Sequence, residues 1–137
     1  MSLTGKSRDF KLGGADRGSV VVSWYAPSVI EVEWNGHVTG ETITEALVKA
    51  RDLQGNHPVT HVIANTTHVV GYTVNVRTPS LNFMEHFRGA GAKEFVGVIP
   101  NIAVRMFAAS MALVTRVKFS VFASRMEAVA YLEKSRG

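Results

Sequence analysis

The stretch Val98–Leu132, VIPNIAVRMFAASMALVTRVKFSVFASRMEAVAYL, decides how the chain is read, because its hydrophobic period changes repeatedly along its length. An apolar run (Phe95, Val96, Val98, Ile99) stops at Pro100. Beyond it Ile102, Val104, Met106, Phe107 and Met111 recur at helical intervals, with Asn101 placed to cap the free N–H groups of the first turn. Lys118 to Phe122 alternates polar and apolar residues as a half-buried strand does. Ser124-Arg-Met-Glu127 then has capping-box spacing, in which a hydroxyl and a carboxylate satisfy each other's backbone N–H groups, so the last helix starts near Arg125. The order is strand, helix, strand, helix.

Toward the N-terminus, Ser19 to Tyr25 and Val29 to Trp34 are β-branched and aromatic runs separated by Ala26-Pro27-Ser28. They predict an antiparallel hairpin, with Glu31 and Glu33 on its wet face and the Asn35-Gly36 turn signal closing its second strand. Thr39 to Thr42 opens a first helix whose apolar stripe is Ile43, Ala46, Leu47, Ala50 and Leu53, and Thr42 with Glu45 forms a capping-box pair. Gly55 to Pro58 breaks the chain before Val59–Ala64, a short apolar strand for the middle of a sheet. The segment from Asn65 to Val76 reads as a loop. Thr78-Pro79 then marks the start of a second helix with Leu81, Met84 and Phe87 inward, ended by Gly89-Ala-Gly91. This alternation predicts an α/β domain over residues 18–137. Its sheet is mixed and mostly parallel, of about five strands, with about four helices and right-handed crossovers. Residues 1–17 are polar and aperiodic and read as a flexible N-terminal arm.

Composition narrows the function. At 137 residues, with 46% apolar and 19% charged residues, the chain has the make-up of an ordinary globular domain. No apolar run approaches the roughly 20 residues of a membrane-spanning helix, and no secretory h-region opens the chain, so a soluble cytoplasmic protein is expected. The absence of cysteine removes disulfides, thiolate nucleophiles and cysteine-bound zinc. A formal charge of +4 is spread along the sequence without the dense basic run that nucleic-acid binding calls for.

Three segments carry a family resemblance. Val32-Glu-Trp-Asn-Gly-His-Val-Thr39 resembles the strand and glycine turn before the first helix of the sulfate transporter and anti-sigma factor antagonist (STAS) domain. Ile99-Pro-Asn-Ile-Ala-Val-Arg-Met-Phe107 is similar to that family's polar cap leading into a helix. Phe119-Ser-Val-Phe-Ala-Ser-Arg-Met-Glu-Ala-Val129 is similar to its closing strand and last helix start. The resemblance, to the stand-alone sporulation anti-sigma factor antagonist-like branch, implies a STAS-like fold and a non-enzymatic regulatory module. Its partner would be a protein, a kinase-like or anti-sigma regulator. In that branch an Asp-Ser-Ser-Gly-like motif after the central strand carries a phosphorylated serine. Here the segment reads Asn65-Thr-Thr-His-Val-Val-Gly-Tyr-Thr-Val-Asn-Val-Arg77. Counting forward from the central strand puts Gly71 at the acceptor, and counting back from Asn101 puts Asn75 there. Neither can be phosphorylated, and the two counts differ by an insertion of about four residues.

A helix start after a central strand still offers free N–H groups and a positive dipole end to a partner. Asn65, Thr66, Thr67, His68, Gly71, Tyr72, Thr73 and Asn75 are therefore the candidate binding residues. Tyr72 serves either as an interface residue or as a ring folded back over the core. His57 and His61 flank Pro58 and enter a strand, where residues four apart lie about 13 Å from each other, so no metal site is expected. His37 and His86 read as surface or half-buried residues, and Met106, Met111, Phe83 and Phe87 as core or interface. No nucleophile elbow or phosphate loop appears, and Gly89 and Gly91 follow a helix as a C-cap does, so neither catalysis nor a cofactor is expected. A second reading is a small-molecule or lipid-binding domain with an apolar cavity between the Asn65–Val76 segment and the helix from Pro79. A homodimer fits either reading.

Overall fold

The computed structural model describes residues 18–136, so the expected arm at residues 1–17 lies outside the described residues. Strands β1 (Ser19–Ala26) and β2 (Val29–Val38) form the expected antiparallel hairpin, turning through Pro27 and Ser28, the latter at φ 69°. There follow α1 (Gly40–Gln54), β3 (His61–Tyr72), α2 (Arg77–Gly89), β4 (Glu94–Val98), α3 (Ile102–Thr115), β5 (Phe119–Phe122) and α4 (Arg125–Arg136). The sheet runs β1-β2-β3-β4-β5 in space, with β2 through β5 parallel. It is the mixed, mostly parallel sheet with four helices that the alternation of periods predicts.

Local capping explains most helix starts. Asn101 Oδ1 accepts the Val104 N–H at 3.1 Å, and Ser124 Oγ accepts the Glu127 N–H at 3.2 Å. At α1 the cap is one turn earlier than the Thr42/Glu45 pairing suggests. Thr39 Oγ1 accepts the Thr42 N–H at 3.2 Å while Thr42 Oγ1 accepts the Thr39 N–H at 3.1 Å, because Gly40 and Glu41 are already helical. Helix α2 begins at Arg77 with no side-chain cap, which places Pro79 inside the first turn, where its missing N–H breaks no bond.

Two readings are corrected together. Asn35-Gly36 does not close β2, and Asn65–Tyr72 is not a loop. Past Glu33 and Asn65 the strands continue in parallel, pairing Asn35 with His68, Gly36 with Val69, His37 with Gly71 and Val38 with Tyr72. Gly36, at φ 75°, takes up a register shift as a bulge does, so a turn residue here bends a strand instead of ending it. Thr66, Thr67, Val69, Val70 and Tyr72 suit a strand once β2 offers an edge to pair with.

Side chains alternate across this sheet. One face sends Ile30, Val32, Trp34, Val62, Ala64 and Phe95 under α1, α2 and α3, where Phe83 packs edge-on to Trp34 and Phe95 at 5.5 and 6.4 Å between ring centres. The other face sends Val29, Ile63, Val96 and Val98 against Ala128 and Leu132 of α4. Glu31 is on that second face and is not wet, being only 8% exposed. Arg125 of α4 holds its carboxylate by two hydrogen bonds, of 2.8 and 2.7 Å.

Gly97 of β4 is a close-approach position: a Cβ there would stand 2.5 Å from Cε1 of Phe119 on β5. Replacing Gly97 by Ala forces the Phe119 ring or the strand to shift. We expect a loss of about 1–3 kcal/mol in urea unfolding; an unchanged midpoint would show that the ring moves aside freely.

Candidate functional site

The eight residues expected at the site do not act as one loop, because strand alternation divides them. Asn65 is buried on the α4 side, where its amide donates to Glu31 Oε2 at 3.4 Å and its Oδ1 accepts the Thr67 N–H and hydroxyl at 3.0 and 2.6 Å. Thr66 points to the opposite face and donates to the Val98 carbonyl at 2.9 Å. His68 is exposed, and Gly71 lies against the His37 ring. Thr73 and Asn75 share a hydroxyl-to-amide hydrogen bond. Asn75 Oδ1 also accepts the Gly40 N–H at 3.3 Å, tying the end of β3 to the start of α1. Tyr72, 37% exposed, folds back onto α3: its ring lies 5.3 Å from that of Phe107, and the remainder meets solvent.

Thr66 and Tyr72 meet at the wall of an apolar cavity of about 120 Å³ between the sheet, α2 and α3. Trp34, Phe83, Phe107 and Met111 form much of the remaining wall, and Tyr72 is its most exposed member. Trp34 and Phe107 were not among the residues expected from sequence. The signal available for them is indirect, since both are large aromatics on elements flanking the Asn65–Val76 segment.

Helix α3 roofs this cavity with Val104, Phe107, Ala108 and Met111. Its outer side is equally apolar. Ile102, Met106 and Leu113, at i, i+4 and i+11, are 74%, 70% and 82% exposed, a stripe about 16 Å long. The helix carries a single charged residue, Arg105, which folds back to donate to the Ile99 carbonyl at 2.6 Å. Met106 is thus not a core residue, in contrast to Met111, Phe83 and Phe87, which are buried. A helix apolar on every side belongs in a protein interior, so the open side of α3 is a surface suited to being covered.

At the opposite end of the parallel strands lies a buried polar group. Glu94 accepts hydroxyls from Ser120 and Tyr131 at 2.5 and 2.6 Å, with Lys118 Nζ at 3.8 Å and His61 Nε2 at 3.9 Å. Burial pushes His61 below the ordinary imidazole range, with Glu94 opposing the shift and Arg136, Lys93 and Lys118 reinforcing it. His86, bonded to Gln54 Oε1 at 3.1 Å, is lowered by burial and by Arg51. Glu31 is lowered by its hydrogen bonds to Arg125. Among the described residues no group of three His, Asp or Glu side chains is placed to hold a metal ion, and no helix is long and apolar enough to cross a membrane.

No family model matches the sequence, and no curated protein matches it. Solved structures do match the fold. An uncharacterised DUF3478-family protein with a SpoIIAA-like fold from Shewanella loihica PV-4 superposes with a TM-score of 0.67 at 11% identity, covering 88% of this chain and 98% of its own. The anti-sigma factor antagonist SpoIIAA in its unphosphorylated form gives 0.60 at 13% identity, covering 87% and 99%. An anti-sigma factor antagonist from Mycobacterium paratuberculosis gives 0.55 at 11%, covering 89% and 99%. The chain therefore has the SpoIIAA-like α/β fold, the architecture of STAS domains.

The lowered histidines set a pH window. The unfolded chain takes up protons at His61 and His86 as pH falls through 6.5, before the folded chain does, so stability is fully present above pH 6.5 and declines below it. Glu31 adds a second decline below pH 4.5, where the unfolded carboxylate protonates first. Urea midpoints should drop between pH 7.5 and 5.5, and a His61→Gln/His86→Gln double variant should flatten that slope. An equally steep slope in the double variant would assign the effect to other groups.

Proposed function

We propose that this chain is a non-enzymatic regulatory protein-interaction module, working in the cytoplasm as anti-sigma factor antagonists do, with a kinase-like or anti-sigma regulator as partner. The carrying observation is the uncovered apolar side of α3, with Ile102 and Met106 one turn apart, on the helix whose Phe107 packs against Tyr72. Exposed residues of this kind, flanked by half-buried aromatics, form the anchor set that protein interfaces use. Two of the structural neighbours are anti-sigma factor antagonists, which supports the same class of work for this fold.

Regulation here does not use the phosphoserine position. The positions that align with it by count are Gly71, inside β3, and Asn75, whose amide oxygen is engaged with Gly40 and Thr73. Partner capture is therefore independent of ATP.

The test is affinity capture from the source cell's lysate with wild-type chain and an Ile102→Ser/Met106→Ser double variant, with and without ATP. One regulatory protein is expected to be retained by wild type and reduced at least about tenfold by the double variant, with the urea midpoint unchanged because both side chains are mostly exposed. Equal capture by both proteins would move the interface elsewhere. Recovery of the chain alone would replace a heterologous partner by self-association, and phosphate on Thr73, Thr78 or Ser80 would overturn the ATP-independent reading.

A further inference from the structure

His61 and Glu94 open β3 and β4 and are paired in register across the parallel sheet. Strand alternation puts both side chains on the α4 face, two residues before Ile63 and Val96. They line an open cleft of about 560 Å³ together with Lys93, Lys118 and Arg136, a size usual for small-molecule sites. Arg136 is anchored there by donating to the Pro27 carbonyl at 3.3 Å, with Glu133 at 3.8 Å.

The two oxygens of Glu94 have different surroundings. Oε2 takes the hydroxyls of Ser120 and Tyr131, whereas among the described residues nothing hydrogen-bonds to Oε1, and His61 Nε2 stands beyond hydrogen-bond reach of it at 3.9 Å. The other ring nitrogen defines what Nε2 offers. Thr60 Oγ1 donates its one hydrogen to the Ser28 carbonyl at 3.3 Å, which assigns the ring proton to Nδ1, donating to Oγ1 at 2.9 Å. Burial keeps the imidazole neutral above pH 6.5, so Nε2 is a bare acceptor facing a second acceptor. Neither atom is sealed in, because Trp34 Nε1 is the one enclosed, unpartnered side-chain N or O among the described residues. Oε1 and Nε2 therefore open to the cleft.

One donor with two hydrogens, about 2.9 Å from each acceptor, fits between them. A primary ammonium is such a donor and also balances the Glu94 charge. The cations of the cleft select the rest of the molecule. Lys93 and Lys118, the latter with Nζ 3.8 Å from Oε2, repel a lone cation and attract an acid group, while a lone anion would meet Glu94.

We propose that this cleft binds a small zwitterion, its primary ammonium donating to Glu94 Oε1 and His61 Nε2 and its phosphate or carboxylate paired with Lys93 and Lys118. The site is at the opposite end of β3 from Tyr72 and is separable by mutation from the outer side of α3.

The test titrates the full chain, ¹⁵N-labelled, at pH 7.5 and reads affinity together with the His61 ring nitrogens. O-phosphoethanolamine and β-alanine are the zwitterions. Ethanolamine lacks the acid group, inorganic phosphate lacks the ammonium, and phosphocholine keeps both charges without an N–H. At least one zwitterion should saturate with a dissociation constant below about 1 mM and move the Nε2 resonance upfield as that nitrogen accepts a hydrogen bond; the tighter of the two identifies the acid group. The three controls should bind at least about tenfold more weakly. Glu94→Gln, which keeps the shape and removes the charge, should abolish binding. Lys93→Gln/Lys118→Gln, at exposed side chains, should leave the zwitterion bound no more tightly than ethanolamine, with the urea midpoint unchanged. Ring couplings that place the His61 proton on Nε2, no saturable shift with either zwitterion, or equal binding of phosphocholine would overturn the proposal.

Discussion

The parallel pairing that carries β2 and β3 past Glu33 and Asn65 to Val38 and Tyr72 is the constraint on which the rest depends. It extends the two strands as a rigid edge to the point where α1 and α2 begin. Asn75 then ties the end of that edge to Gly40, where a Cβ would stand 2.9 Å from the Asn75 carbonyl oxygen. Were this segment a loop, Tyr72 would have no fixed place against Phe107, and the cavity would lack one wall. Backbone hydrogen bonds between distant segments thus decide where an aromatic side chain can act.

Helix α3 has two apolar sides with different uses. Its inner side closes the cavity over Phe83 and Trp34 and packs against α2 and β5. The outer side buries little, with Ile102, Met106 and Leu113 all at least 70% exposed. Retaining Ile102, Met106 and Leu113 there makes physical sense only if something else covers them. The same helix thereby joins the proposed interface to the cavity wall through one turn of backbone.

On the opposite face α4 is held by polar groups as well as by Ala128 and Leu132. Glu31 draws Arg125 and Asn65 together, and Arg125 also lies over the Tyr25 ring at 5.8 Å. Glu94 gathers Ser120 and Tyr131. Such buried carboxylates add direction where apolar packing alone would let a short helix slide, since their hydrogen bonds hold only when the donors of α4 stand at fixed positions against the sheet.

What the sequence by itself determined is local. Helical and strand periods, the Asn101 and Ser124 caps and the hairpin at Pro27-Ser28 depend on neighbours within a turn or two, and from them the α/β class and the succession of elements along the chain follow. Tertiary structure alone decided the continuation of β2 through Asn35-Gly36, because whether a glycine ends a strand or bulges it depends on the partner edge. It also decided the burial of Glu31 and Asn65, whose partners are far away in sequence, and the division of the candidate residues, of which Thr66 and Tyr72 reach the cavity while the others bond within the fold or face solvent. Trp34 is the sharpest case. A tryptophan in an alternating strand reads as core, and only the surrounding packing shows that its N–H is left without a partner.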